Sequence, residues 1–173
     1  MTKHNSIIIM ASSRVDGHTH QIAEVIQAVC PSDRIDLALL LIGPYTYDHK
    51  HKADDFIPLI QTLADHELVI LLTPVYWYSM SGLMKTFLDR LTDCLQIEKD
   101  LGRQLRGKRM ICISCGSEEE EIEGYFVPFE RSAEYLGMSY LGNLHTWITG
   151  DDISDRVRDK ILEFFEYISP TLP

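Results

Sequence analysis

Along this chain, short unbroken apolar runs alternate with stretches in which apolar residues recur every three or four positions. Ser6 to Ala11, Glu67 to Thr73 and Lys108 to Ser114 are of the first kind, and continuous runs of that length read as strands covered on both faces. Weaker runs, Arg34 to Leu40 and Met138 to Ile148, bring the expected strands to five. Between them the helical spacing appears at Ile22, Val25, Ile26 and Val29, at Phe56, Leu59, Ile60 and Leu63, and at Leu83, Met84, Phe87, Leu88 and Leu91. It returns at Ile122, Phe126, Phe129, Ala133 and Leu136, and finally at Val157, Ile161, Phe164, Phe165 and Ile168. Strands alternating with helices imply parallel pairing through right-handed crossovers, a doubly wound α/β domain with helices on both faces of one sheet.

In such sheets ligands bind beyond the carboxyl ends of the strands. That rule selects three loops: Ser12 to Thr19, Pro74 to Gly82 and Cys115 to Glu121. No internal repeat or linker interrupts the pattern, so residues 1–173 are expected to form a single domain. A chain of 173 residues buries roughly 70% of its unfolded surface, enough for one core.

Charge and cysteine usage narrow the partners. A formal net charge of −10 without a basic stripe argues against nucleic acid, whose affinity is supplied by clustered Lys and Arg. No apolar run approaches the roughly 18 residues of a membrane span, and the N-terminal run reads as a first strand, not a signal peptide. Cys30, Cys94, Cys112 and Cys115 lie in apolar surroundings in a chain too large to need disulfides, which favours a reducing cytoplasm. Cys112 and Cys115 are three apart on a strand and so face opposite sides, a poor arrangement for a redox pair or metal site. No metal site is expected. His49 and His51 read as exposed side chains of a polar loop, and His145 either approaches the ligand or caps a packed edge. The run Glu118 to Glu121 with Glu123 reads as the solvated first turn of a helix, with a docking surface for a cationic partner as the other reading.

The first loop, Ser12-Ser13-Arg14-Val15-Asp16-Gly17-His18-Thr19, has the chemistry of a phosphate site. Backbone N–H groups at the helix start are unpaired, hydroxyls add donors, Arg14 offsets charge, His18 can donate and Gly17 permits a close turn. The alternative is that Ser12, Ser13 and Thr19 only cap the helix. Neither Gly-x-Gly-x-x-Gly nor Gly-Lys-Ser/Thr is present, so a monophosphate fits better than a pyrophosphate. The second loop, Pro74-Val75-Tyr76-Trp77-Tyr78-Ser79-Met80-Ser81-Gly82, joins a stiff backbone to three adjacent aromatics that can edge a planar ring. They cannot all point into one core.

Together the two loops resemble those of the flavodoxin-like NAD(P)H-dependent FMN reductases, over Ser6 to about Gly116. Position by position, Ser12, Arg14, His18 and Thr19 match the phosphate loop, and Pro74, Val75, Tyr76 and Trp77 match the loop lining the flavin ring. Lys85, Phe87, Asp89 and Arg90 look like the family's following helix. Ser114-Cys115-Gly116-Ser117 fits the small, polar third loop, which adds Cys115 and Gly116 to the cofactor residues. The glutamates after it depart from the family, because an anionic nicotinamide cofactor has to approach there.

The resemblance implies a flavodoxin-like five-stranded parallel sheet in the order 2-1-3-4-5, FMN as cofactor and NADPH or NADH as electron donor. It implies a small acceptor such as a quinone, a nitro or azo compound, a metal ion or free flavin. It also implies a homodimer or homotetramer. Tyr78 and Ser79 are expected in the substrate pocket, and no side chain is expected as a catalytic acid or base. A flavodoxin-type electron carrier, reduced by a protein docked on the acidic run, is the second reading. A binding module that has lost flavin is the third.

Overall fold

In the computed structural model, which describes residues 5–171, a parallel sheet is covered on both faces. The chain runs β1 (Ser6–Met10), α1 (His18–Val29), β2 (Asp33–Asp36), α2 (Phe56–Ala64), β3 (Leu68–Tyr76), β4 (Ser79–Met80) and α3 (Gly82–Gln96). It continues through α4 (Lys99–Gln104), β5 (Arg109–Gly116), α5 (Val127–Leu136), β6 (Ser139–Trp147) and α6 (Asp155–Ile168). The long strands pair in parallel in the order β2-β1-β3-β5-β6. The two-residue β4 lies off this path and pairs antiparallel with the end of β3. The sheet thus has six strands where five in the order 2-1-3-4-5 were expected, because the aromatic loop folds back as a hairpin.

Strand alternation sorts the core into two layers. Ile7, Ile9, Val69, Leu71 and Cys112 pack with Phe56, Phe87 and Phe129 on the side of α2, α3 and α5. Ile8, Met10, Ile70, Leu72, Ile113 and Cys115 pack on the other side with Ile22 and Ile26 of α1 and Val157 and Ile161 of α6. Cys112 and Cys115 therefore occupy opposite faces, and all four cysteines are free and buried.

Four expectations need correction. The Arg34 to Leu40 run is strand only to Asp36, whose carboxylate accepts the Ala38 N–H at 2.9 Å and turns the chain into a 3-10 segment, Leu37–Leu39. The glutamate run precedes α5 and does not open it. Gly124 adopts φ 76° and Pro128 stands in the first turn of α5, and proline is tolerated in a helix only there. The short α4 was not anticipated; Leu101 and Leu105 are buried at it, and Gly102 fits because an added Cβ would stand 2.2 Å from the Cys94 carbonyl oxygen. His49 and His51 are half-buried and not exposed.

The reason for that last correction is a buried ionic network that pins the loop from Gly43 to Asp54 against α3. Arg90 is 1% exposed. Its Nε donates to Asp93 at 2.7 Å, and its terminal nitrogens donate to Asp54 and to the carbonyls of Gly43 and His51. The guanidinium lies 4.7 Å from the Phe56 ring centroid, and His49 Nδ1 meets Asp93 at 2.7 Å.

Burial pushes the Asp54 carboxyl up, but hydrogen bonds from Arg90 and from the Phe56 and Gly43 N–H groups outweigh it and hold the group below its ordinary value of 3.8. A carboxyl with a depressed folded pKa contributes stability above its unfolded pKa, and that contribution disappears as pH falls through the folded value. Urea midpoints are expected to fall below pH 3.8, and Asp54→Asn to flatten that fall. An equally steep fall in the variant would remove Asp54 from the acid response.

Candidate functional site

Three strand ends and one helix start build the first cleft. After β1 the Ala11 N–H is still bonded to the Leu72 carbonyl at 2.9 Å, which leaves Ser12 buried at the mouth of the sheet. The Ser12 hydroxyl accepts the Arg14 N–H at 3.2 Å and so shapes the loop. Gly17 is the N-cap of α1 and brings no side-chain cap, and the first turn contains no carboxylate. Ser12, Ser13 and Thr19 therefore do not cap the helix. Its first N–H groups, the positive end of the helix dipole, are left for a ligand. An added Cβ at Gly17 would stand 3.3 Å from Arg14 Cβ, so glycine lets the chain close over that side chain.

The second loop is locked to the first. The Ser81 hydroxyl donates to the Ala11 carbonyl at 2.6 Å and accepts the Met84 N–H at 3.1 Å, joining the end of β1 to the start of α3. Across the opening, Ser13 Oγ and Tyr76 OH are 2.9 Å apart. Val75 pairs with Met80 and Tyr76 with Ser79, leaving Trp77 and Tyr78 as a two-residue turn with φ of 49° and 64°. Positive φ at both central residues is the type I′ geometry, normally given to Asn-Gly. Here it thrusts two aromatics outward, Trp77 94% exposed and Tyr78 77%.

The third loop closes the space from β5. Cys115 is buried at its base, where burial pushes its thiol up to about 11 while the Thr19 and Thr146 hydroxyls act against that. It is a neutral wall, not a thiolate. Next comes Gly116, at which a Cβ would approach His145 Cε1 to 3.0 Å. His145, buried on β6, holds the loop: its Nδ1 is 2.7 Å from Ser114 Oγ and its Nε2 2.9 Å from the Glu118 carbonyl. With Ser114 donating to Nδ1, the Nε2–H donates to that carbonyl.

These loops enclose a cleft of about 490 Å³, within the roughly 300–1,000 Å³ of small-molecule sites. It is lined by Ser12, Arg14, Gly17, His18 and Thr19 from the first loop, by Pro74, Val75 and Tyr76 from the second, and by Cys115 and Gly116 from the third. Ser117, Glu118, Ile148 and Thr149 complete it. The last two, after β6, were missed, although the carboxyl-end rule applied to the fifth long strand would have found them. A second cleft of about 660 Å³ adjoins the first, sharing Val75, Gly116, Ser117 and Glu118. Trp77, expected at the flavin ring, is turned away from the first cleft by the hairpin and lines this second space with Tyr78, together with Glu120, Glu121, Ile122, Glu123 and His145. Ser79 lines neither cleft; it is exposed in β4.

The two spaces differ in chemistry. The first gathers hydroxyls, Arg14 and a bare helix N-terminus at one end and Pro74, Val75 and Tyr76 at the other, a donor set that suits a phosphate joined to a planar ring. The second is aromatic and acidic.

Sheet order, cleft position and helices on both faces define a flavodoxin-like α/β protein with a ligand cleft at the carboxyl ends of its strands. The chain belongs to the NADPH-dependent FMN reductase family, whose sequence model matches residues 5–125, and it is a flavoenzyme that uses FMN and NAD(P)H. It is 28% identical over 146 residues, 78% of this chain and 80% of the other, to YwqN of Bacillus subtilis (strain 168), named as an NAD(P)H-dependent FMN-containing oxidoreductase. Among solved structures it is similar to the Trp repressor binding protein from Bacillus subtilis, with a TM-score of 0.74, 22% identity and coverage of 92% of this chain and 96% of that one. It is also similar to the apo form of an NADH:FMN oxidoreductase, with a TM-score of 0.69, 15% identity and coverage of 97% and 90%.

Among the described residues, no helix is long and apolar enough to cross a membrane.

Proposed function

We propose that this chain carries reducing equivalents from NAD(P)H through FMN to a small acceptor, such as a quinone, a nitro or azo compound, a metal ion or free flavin. The observation that supports the reading is that ten of the eleven residues expected at FMN line one cleft, Trp77 being the exception. Ser12, Arg14, Gly17, His18 and Thr19 would hold the phosphate. Pro74, Val75, Tyr76, Cys115 and Gly116 would border the ring, and Trp77 and Tyr78 would wall the space next to it.

FMN supplies the redox chemistry when bound. The protein's part is to bind, orient and exclude water. The α1 N–H groups and Arg14 offset the phosphate charge, the Ser13–Tyr76 contact keeps the two loops at a fixed separation, and His145 positions the loop carrying Glu118. No side chain is assigned as a general acid or base. Residues 1–173 are read as one FMN-binding domain working in the cytoplasm as a homodimer or homotetramer; four free cysteines suit a reducing compartment.

Anaerobic titration of the FMN-loaded protein with NADH and with NADPH tests the reading. Bleaching of the oxidised flavin absorbance by either is expected. Flavin that stays oxidised with both would favour an electron carrier, the reading that the exposed glutamates support. Arg14→Ala and Thr19→Ala are each expected to weaken FMN binding by about 1–3 kcal/mol, the range for a hydrogen bond to a charged group or the loss of its partner. Fluorescence titration of released flavin measures this, and unchanged affinity in both variants would move the phosphate elsewhere.

A further inference from the structure

The second cleft sits where an acceptor would meet the flavin site, and its walls have one sign of charge. Trp77 and Tyr78 of the β3–β4 turn line it together with Glu118, Glu120, Glu121 and Glu123 of the loop after β5, with no Lys or Arg among the described residues that line it. The fifth glutamate of the run is engaged elsewhere: Glu119 is bridged by Arg156 of α6, whose guanidinium lies 5.5 Å from the Trp147 ring centroid. That bridge and the bond from His145 to the Glu118 carbonyl fasten the loop at two points, so the remaining carboxylates border a cleft of defined shape. Exposed aromatic faces and carboxylates lining one cleft are the elements by which proteins recognise organic cations, and a cleft lined with one sign of charge concentrates ligands of the other.

We propose that this cleft is the acceptor subsite and that it selects planar aromatic cations over neutral or anionic acceptors. The proposal rests on the flavin-reductase reading above and deepens it. For a phenothiazinium dye the overall step balances as NADH plus dye cation giving NAD⁺ plus the neutral leuco dye. The nicotinamide C4–H bond is broken, an N–H bond is formed on the dye's central ring, two electrons pass from NADH to the dye, and total charge is conserved.

The test compares methylene blue, a planar cation, with indigo disulfonate, a planar dianion of similar size, on the FMN-loaded protein. Equilibrium dialysis measures binding, and NADH-driven bleaching measures turnover. At low ionic strength the cation is expected to bind at least tenfold more tightly and to have the higher kcat/KM. Both advantages are expected to shrink by 0.5 M salt, where screening is nearly complete. Glu120→Gln/Glu121→Gln should cut the binding ratio severalfold. Glu163→Gln/Glu166→Gln, which removes the same charge from exposed positions on α6, should leave it unchanged. Equal binding of the two dyes, or equal effects of the two double variants, overturns the proposal, since either result would reduce the preference to net charge or to none. Dialysis decides this even if nicotinamide fails to reduce the flavin, whereas reduction with indifferent dye binding would retain the reductase reading and remove only the cation preference.

Discussion

Arg90→Met is expected to destabilise the protein by about 3–5 kcal/mol, the usual result of removing one partner from a buried ionic cluster. The side chain it replaces is almost inaccessible and donates to two carboxylates and two backbone carbonyls. Asp93 is equally inaccessible. In the variant it would keep its 2.7 Å contact with the His49 ring nitrogen, while Asp54 would lose its guanidinium. Against a total stability of about 5–15 kcal/mol for such domains, that loss is a large share. Arg90→Lys should recover only part of it, because an ammonium has three donors on a flexible stem and cannot reproduce the planar fork that reaches four acceptors at once. Urea unfolding of the FMN-free proteins, followed by far-ultraviolet circular dichroism, measures both. A loss below about 1 kcal/mol for Arg90→Met would put the cluster with ordinary surface ion pairs. The loop from Gly43 to Asp54 should also become susceptible to limited proteolysis in the variant, since its carbonyl anchors are removed while its own sequence is untouched.

The same cluster shows where reading from sequence stops. Periodicity placed every long strand and the five longer helices, because two-sided burial leaves an unbroken apolar run and one-sided burial leaves spacings of three and four. It carries no information on which distant polar residues meet, so nothing in positions 43–54 announced their attachment to residue 90. The phosphate loop was legible because its chemistry is local, lying between a strand end and a helix start. The aromatic hairpin was legible as a ligand loop but not as a hairpin, since Trp77-Tyr78 carries none of the Asn-Gly chemistry that normally marks a two-residue turn. The glutamate run was misread as a helix start although Pro128 limited how far upstream that helix could reach. That proline bears directly on the site: with the helix begun at Val127, residues 117–121 are free to form the wall of the second cleft.

The turn itself carries the other large expectation: Trp77→Asn/Tyr78→Gly should make the FMN-free protein more stable by about 2–4 kcal/mol, since left-handed backbone costs roughly 1–2 kcal/mol per ordinary L-residue and Asn-Gly relieves it at both positions. Little is lost against that gain, because both aromatic side chains are largely in solvent and their removal forfeits scant buried area. The Val75–Met80 and Tyr76–Ser79 pairings should persist, as the new residues suit the turn the chain already makes. The second cleft, however, loses its aromatic wall. Binding of methylene blue should weaken by about 5- to 30-fold, the equivalent of roughly 1–2 kcal/mol of cation–π contact. Urea unfolding and equilibrium dialysis on the same pair of proteins measure the two effects, and a variant no more stable than the parent would show that the turn carries no strain. Opposite movement of the two measurements is the behaviour expected of a segment held in a costly conformation for the sake of its ligand. It would also explain why the most exposed aromatics in the site stand at the two positions least suited to them.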